Sequence, residues 1–436
     1  MVVKGVVQTL AGHAAGQLIR FARSLILTRL LFPEAFGLMS LVGAVMYGLA
    51  MVSDAGIAAA IVRDKRGDDS DFLDAVWTLQ VCRGLLLWGG ACTLAYPLAS
   101  LYSVEQLATI IPVAALALPI SGLGSTALHT CRRHMHLGPI VALEVTHEVI
   151  VLAVTIPWAF LAPTVWALVG GTLAGSVFTA IASHLALPRR THRISWNWPL
   201  IQQQLSFGRW IFLSSMMFFV AGQADRLMLG YLVPMSQLGV YSVALVLSEA
   251  VYAVISRINR DVAYPAYGKT FRNDPVRLEQ VVARTRFGVD VLLVAPIAIL
   301  VVCAEWIIAL LYDSRYHEAG WMLQVLCVRL LLAATLMNSE ASLVAAGHPQ
   351  YSVAMNVGRL GWILACIPLG WHVAGIRGVI WAVALSELPV LVVLWLGMKR
   401  NRLFSPSVEL RSALFAAVGL ALGNALLALL LKVRPL

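Results

Sequence analysis

Charge is scarce in this chain. Asp, Glu, Lys and Arg make up 12% of the 436 residues, while 60% are hydrophobic, and the mean hydropathy is +0.81. Soluble globular domains carry about twice that share of charge, so an ordinary soluble fold is excluded. Cysteine is also sparse: Cys82, Cys92, Cys131, Cys303, Cys327 and Cys366 contain no CxxC pair, and five of them lie within apolar runs. They read as small buried hydrophobes. No phosphate-binding loop, dinucleotide fingerprint, HExxH or nucleophile elbow occurs, which argues against an ATP-driven pump in one chain. No small-residue cleavage site follows the first apolar run, so that run is expected to serve as its own targeting signal.

What is present is a series of apolar stretches. A membrane span needs about 20 mostly apolar residues, and by that measure about thirteen candidates occur. They lie at 8–31, 37–62, 75–98, 107–128, 140–161, 164–187, 206–232, 238–258, 286–311, 320–345, 352–371, 376–398 and 412–431. The expected fold is an all-α polytopic membrane protein with about 12–14 transmembrane helices. The formal net charge of +10 does not point to nucleic acid, because the basic residues sit in alternate connectors. Arg63, Lys65 and Arg66 fall in one, Arg132 and Arg133 in the next, then Arg189, Arg190 and Arg193, then Arg260, Lys269, Arg272, Arg277 and Arg284, then Lys399, Arg400, Arg402 and Arg411. The intervening connectors are nearly bare, with Arg315 and Arg377 as exceptions. The positive-inside rule then places the N-terminus and every basic connector in the cytoplasm. The outer connectors are short, which disfavours an integral-membrane glycan polymerase or ligase with an external site.

Two echoes suggest a repeat. Leu25–Val45 and Leu205–Leu247 both read as a helix, a short turn with a proline (Pro33, Pro234) and a second helix. ALHTCRRHMHLGPIVALEV follows the fourth span and ASLVAAGHPQYSVAMNVGR the tenth, each a helix end, a polar turn and a restart. The basic loop at 188–205 divides the first six spans from the next six, and six is even, so both halves enter from the cytoplasm and the two six-helix lobes would be parallel repeats about a pseudo-two-fold axis along the membrane normal. The expected organisation is an N-terminal lobe at 1–187, a cytoplasmic linker at 188–205, a C-terminal lobe at 206–398 and an extra hydrophobic segment at 399–436. That last segment either spans or lies at the interface.

Charges inside apolar stretches are costly, about 2.5–3.5 kcal/mol each on insertion scales, and therefore informative. Arg20 and Arg23 lie near the middle of the first span. Gln17, Arg20, Ser24 and Thr28 recur at helical spacing. The stripe reads as a cationic cavity wall, with an interhelical salt bridge as the alternative. Asp225 and Arg226 lie in the seventh span and read as gating or lobe contacts. Arg209, at the end of the same span, can snorkel. Glu249, Arg329 and Glu387 in later spans suit mutual pairing or ion coupling. Asp54 suits a helix break or ion coupling. Glu144, His147 and Glu148 share a face at i, i+3 and i+4, a spacing open to a metal, a proton or a local pair. Arg257/Asp261 and Arg286/Asp290 read as structural i, i+4 pairs. His129, Cys131, His134 and His136 match no zinc signature. No metal or cofactor is expected.

The stretches LTRLLFPEAFGL (27–38), SDAGIAAAIVR (53–63), LHTCRRHMHLGPIVALEV (128–145), SFGRWIFLSS (206–215), ADRLMLG (224–230) and LGVYSVA (238–244) resemble, in order, polysaccharide transporters of the oligosaccharide-flippase (Wzx-like) type. These belong to the multidrug/oligosaccharidyl-lipid/polysaccharide exporter superfamily, and the likeness runs over about residues 10–400. The resemblance implies two six-helix lobes around a cavity that opens alternately to each side. It implies a polyprenyl-pyrophosphate-linked oligosaccharide as substrate, moved across the bacterial cytoplasmic (inner) membrane for surface or exopolysaccharide assembly. The implied partners are that substrate, the lipid bilayer and polysaccharide polymerase machinery, with the protein itself a monomer and not an enzyme. Arginine suits a pyrophosphate because it offers paired donors. The alternative within the fold is a cation-coupled multidrug or small-molecule antiporter.

Overall fold

The computed structural model describes residues 2–52, 61, 66–187, 192–196, 219–220, 222–274, 278–401 and 403–433. Among these there is no strand, and the architecture is helical throughout. The chain divides into two compact units, Met1–Phe219 and Val220–Leu436.

The first unit contains α1 (Val2–Leu30), α2 (Pro33–Val52), α3 (Ser70–Leu101), α4 (Leu107–Ala115), α5 (Ala117–Gly122), α6 (Ala127–Arg133), α7 (Leu137–Leu161) and α8 (Val165–Leu185). Pro33 opens α2, where its missing N–H costs nothing. The expected single span at 107–128 is a correction: Leu107–Gly122 and Ala127–Arg133 meet at a 59° bend. Pro112 and Pro119 each remove a ladder hydrogen bond, and the carbonyls freed before the bend are capped by Gln80, whose Nε2 donates to Gly122 O at 2.9 Å and Gly124 O at 3.3 Å. Gly84 and Gly122 allow this broken helix to lie against α3: a Cβ at Gly84 would stand 2.9 Å from Leu118 O, and one at Gly122 2.9 Å from Gln80 O.

Of the expected linker 188–205, residues 192–196 are described, and they dock on the first unit. His192 stacks on Trp77 with ring centroids 5.3 Å apart, its Nε2 lies 3.0 Å from Ser125 Oγ, and Ser195 N donates to Thr78 Oγ1 at 2.9 Å.

The second unit contains α9 (222–232), α10 (Met235–Ile258), α11 (Tyr264–Asn273), α12 (Leu278–Val289), α13 (Ala295–Leu311), α14 (Ala319–Ala345), α15 (Gln350–Ala384), α16 (Leu388–Arg400) and α17 (Pro406–Val433). Pro234 caps α10 much as Pro33 opens α2. Short π-helical segments, Asn259–Ala263 and Asp290–Val294, join α10 to α11 and α12 to α13. Two spans were expected at 352–371 and 376–398, and α15 is bent between them at Ala374 and Gly375, the latter at φ +58°. The chain folds back there. Gly370 and Gly378 touch backbone to backbone, and Trp362 Nε1 donates to Ala382 O at 2.9 Å. Pro389 ends the returning helix by denying it an N–H donor.

The two turns expected to echo each other have the same local structure. His136 N donates to Cys131 O at 2.8 Å across Met135 (φ +59°) and His348 N donates to Leu343 O at 3.0 Å across Gly347 (φ +87°). Both are left-handed helix caps of the Schellman type.

Among the described residues nine stretches are long and apolar enough to cross a membrane, or ten with the bent pair. The longest, Gln350–Arg400, is the folded-back hairpin. The last, α17, packs within the second unit. Gly419 and Gly423 lie against α13, where a Cβ at Gly419 would stand 2.6 Å from Ala295 O and one at Gly423 3.0 Å from Val302 Cβ. This is the close small-residue packing of membrane helices.

Candidate functional site

The sequence stripe on α1 faces α7. The two helices run parallel and close, because Gly12 has no side chain: a Cβ there would stand 2.0 Å from Val141 Cγ1. Two turns further on, the same approach brings Arg20 and Arg23 to one carboxylate. Arg20 Nη1 donates to Glu148 Oε1 at 2.5 Å and Arg23 Nη1 to Glu148 Oε2 at 3.2 Å. Arg20 Nε also donates to Gln17 Oε1 at 3.2 Å. Ser24 is half-buried on the same helix. Thr28 is buried and turns back to Leu25 O, so the polar stripe stops before it.

The other wall is α8, which runs antiparallel to α7. Gly171 and Gly175 face Thr155 and His147, and His147 Nδ1 lies 2.9 Å from Thr179 Oγ1. Between them is a cleft of about 400 Å³ lined by Arg20, Arg132, Glu144, His147, Glu148 and Thr179, among others. An adjoining cleft of about 360 Å³ is lined by Gln80, Arg83 and His129 and shares Ser121, Leu128, Ser176 and Thr179 with the first. Clefts of this size suit small ligands. Arg132 pairs with Glu144 at 3.3 Å. Glu148 therefore answers two guanidiniums with one negative charge, and the set Arg20, Arg23, Arg132, Glu144 and Glu148 is left cationic. A low-dielectric wall makes such an excess attractive to anions.

In the second unit the expected charges find partners. Asp225 accepts from Tyr241 Oη at 2.7 Å. Arg226 donates to Gln223 Oε1 at 2.6 Å and pairs with Glu249. Glu387, 1% exposed, accepts from Arg359 at 2.6 Å and lies 3.5 Å from Arg329, whose guanidinium stands 5.9 Å from the Tyr252 ring centre. Three arginines here meet three carboxylates. Arg209 and Asp54 lie outside the described residues. Among the described residues no group of three His, Cys, Asp or Glu side chains is placed to hold a metal ion.

Residues 26–321 match the profile of a family described as "Polysaccharide biosynthesis protein". The chain belongs to that family. It is 23% identical over 314 residues to the "Succinoglycan biosynthesis transport protein ExoT" of Rhizobium meliloti (strain 1021), over 71% of this chain and 62% of that protein. The match thus spans less than two thirds of that relative's length. It is 22% identical over 358 residues to the "Lipopolysaccharide biosynthesis protein WzxC" of Escherichia coli (strain K12), over 81% of this chain and 72% of that protein. Among solved structures the fold is similar to that of lipid II flippase MurJ in an inward closed conformation, with a TM-score of 0.72 over 98% of each chain at 11% identity. At that identity the likeness is one of fold.

Sequence reasoning missed three features of this family member. Glu148 was weighed only with its helix neighbours, although its partners lie on α1. Arg359 was passed over as a span residue. Arg286 and Asp290 stand 3.9 Å apart as the expected i, i+4 pair, but their burial, at 2% and 0% exposed, carries no sequence signal of its own. Asp290 accepts from Ser412 Oγ at 2.7 Å and Arg411 Nε at 3.2 Å. Arg286 reaches Glu409 at 3.2 Å and Ser339. This buried network ties the start of α17 to the π-helical segment at Asp290, and its signal in the sequence is the charged pair Glu409 and Arg411.

Proposed function

We propose that the protein is a flippase that moves polyprenyl-pyrophosphate-linked oligosaccharide units across the bacterial cytoplasmic membrane, for surface or exopolysaccharide assembly, by alternating access of two lobes. The observation that carries this reading is the pair Arg20 and Arg23, which share the Glu148 carboxylate at a cleft that Arg20 and Glu148 line. A pyrophosphate entering a low-dielectric cleft needs cations there, and guanidiniums bind phosphate oxygens through paired donors. The names of the matched relatives, a succinoglycan transport protein and a lipopolysaccharide biosynthesis protein, support a glycan cargo. The polyprenyl chain would stay in lipid while the head group passes the cleft. The alternation of basic connectors supports an N-terminus in the cytoplasm. We read the chain as a transporter without catalytic chemistry, acting as a monomer that hands its cargo to polymerase machinery. The balanced charges of the second unit serve as counter-ions, with Glu249, Arg329 and Glu387 as its candidates for ion coupling and Asp225 and Arg226 for gating.

The test is polymer export in cells that carry Arg20→Ala, Arg23→Ala or both. Hydrogen bonds to charged groups contribute about 1.5–3 kcal/mol each, so each loss should cut transport roughly 10- to 150-fold while the protein still inserts. Lysine replacements should rescue partly, since they restore charge without the fork. A double alanine variant that inserts and exports normally contradicts the reading.

A further inference from the structure

The bridge between Arg20, Arg23 and Glu148 has a feature that a purely structural salt bridge does not require. Both carboxylate oxygens are used, one on each guanidinium, at 2.5 and 3.2 Å. That two-point bracket is the one a phosphoryl group takes between two arginines. Arg20 and Glu148 both line the cleft, with side-chain exposures of 41% and 11%, and Arg23, 21% exposed, meets the second oxygen of the same carboxylate. Resting on the reading of this cleft as a pyrophosphate site, we infer that Glu148 is its internal occupant: a carboxylate that holds the two guanidiniums when the cleft is empty and is displaced by the substrate's pyrophosphate.

The chemistry favours exchange over shared occupancy. A pyrophosphate monoester brings more than one negative charge. Two arginines can satisfy it or Glu148, but crowding all the anions onto two cations sets like charges within a few ångströms of each other. The displaced carboxylate has somewhere to go. Arg132 lines the same cleft and is held by Glu144, one helical turn from Glu148. Return of Glu148 to Arg20 and Arg23 would then help expel the head group after crossing. Affinity is set below its intrinsic value by the fraction of time the carboxylate vacates the site, and turnover gains from the same competition. Glu148 is in this account a specificity-determining residue. It rejects anions too weak to replace it, such as a single carboxylate.

The experiment is equilibrium binding of farnesyl pyrophosphate, as a short polyprenyl pyrophosphate probe, to the purified full-length chain, paired with a transport assay. Glu148→Gln should tighten binding roughly tenfold, because the competitor is gone, and should slow transport. Glu148→Asp keeps the charge but is one methylene too short to bridge both guanidiniums, so it should also tighten binding. It also provides a second reading if the glutamine variant does not fold. Tightening by Glu148→Gln alone would mean that the carboxylate acts only through its field, and would overturn the proposal. Weaker binding in either variant would mean that Glu148 orients the arginines instead of competing for them, and would overturn it too. Arg20→Ala serves as the reference. If it binds the probe as wild type does, the pyrophosphate site itself is wrong. If it loses the probe while both Glu148 variants match wild type, only the exchange mechanism fails.

Discussion

Glu387 should be a keystone of the second unit, and its replacement by glutamine measures that role. The carboxylate is 1% exposed and sits in the one-turn break between α15 and α16, where it meets Arg359 at 2.6 Å and Arg329 at 3.5 Å. Glutamine keeps the shape and one acceptor but leaves two guanidiniums without their charge partner. Removing one member of a buried ion pair costs about 3–5 kcal/mol. For a unit of this size each kcal/mol moves the melting temperature by about 2–4 °C, which gives roughly 6–20 °C. Arg329 and Arg359 keep 27% and 19% of their side-chain exposure, so neither cation is fully enclosed and the lower half of that range is expected. A thiol-reactive dye suits the measurement, because Cys303 and Cys327 are buried in this unit and become reactive on unfolding. A Glu387→Gln protein that melts within about 2 °C of wild type would refute the reasoning. If such a protein also lost transport, Glu387 would belong to ion coupling and not to the scaffold.

Two further outcomes follow from other contacts. Gly419→Val should lower the melting temperature, since its Cβ would meet the Ala295 carbonyl at 2.6 Å; overpacking of that kind costs about 1–3 kcal/mol. Leu422→Val, at a position 54% exposed, should change little, and equal melting of the two variants would sink the packing argument. At the turn around Arg133, the hydrogen bond with His134, followed by the charges of His134 and Arg133, holds the Asp68 carboxyl below its ordinary value. Its contribution is therefore present at every pH above that ordinary value and is lost as pH falls through the depressed one. With half the side chain exposed the pair is worth less than about 1 kcal/mol. Amide protection across Arg133–His136, measured against the intrinsic exchange rate at each pH, should fall in acid, and should fall at neutral pH in Asp68→Asn; identical protection in that variant and wild type contradicts the contact.

The helical class and most spans were legible because a bilayer demands long apolar runs, and those survive averaging. The break at 107–128 was not, since Pro112, Pro119 and Gly122 are uncharged and their Ile, Val, Ala and Leu neighbours keep the window apolar, and a window cannot see a missing hydrogen bond. The turn at Gly375 was legible as a gap between two runs, though only the backbone reveals that φ there is positive. Arg20 and Arg23 stood out as charges at the wrong depth, and their helical spacing with Gln17 put them on one face. Their partner did not stand out, because Glu148 meets them only if α1 and α7 run side by side, and the signal for that is a single glycine, Gly12. The same limit hid the seam between α13 and α17, where Gly419 and Gly423 looked like two more small residues in an apolar helix.

The most direct test of the proposed function is transport by the purified protein in vesicles. The full chain would be reconstituted with a polyprenyl-pyrophosphate-linked oligosaccharide, and appearance of the glycan on the far leaflet followed with a lectin. Wild type is expected to move the lipid, and the Arg20→Ala/Arg23→Ala protein, reconstituted to the same level, to move it at least roughly tenfold more slowly. Equal rates in the two would contradict the claim that the paired guanidiniums of the first unit carry the pyrophosphate across.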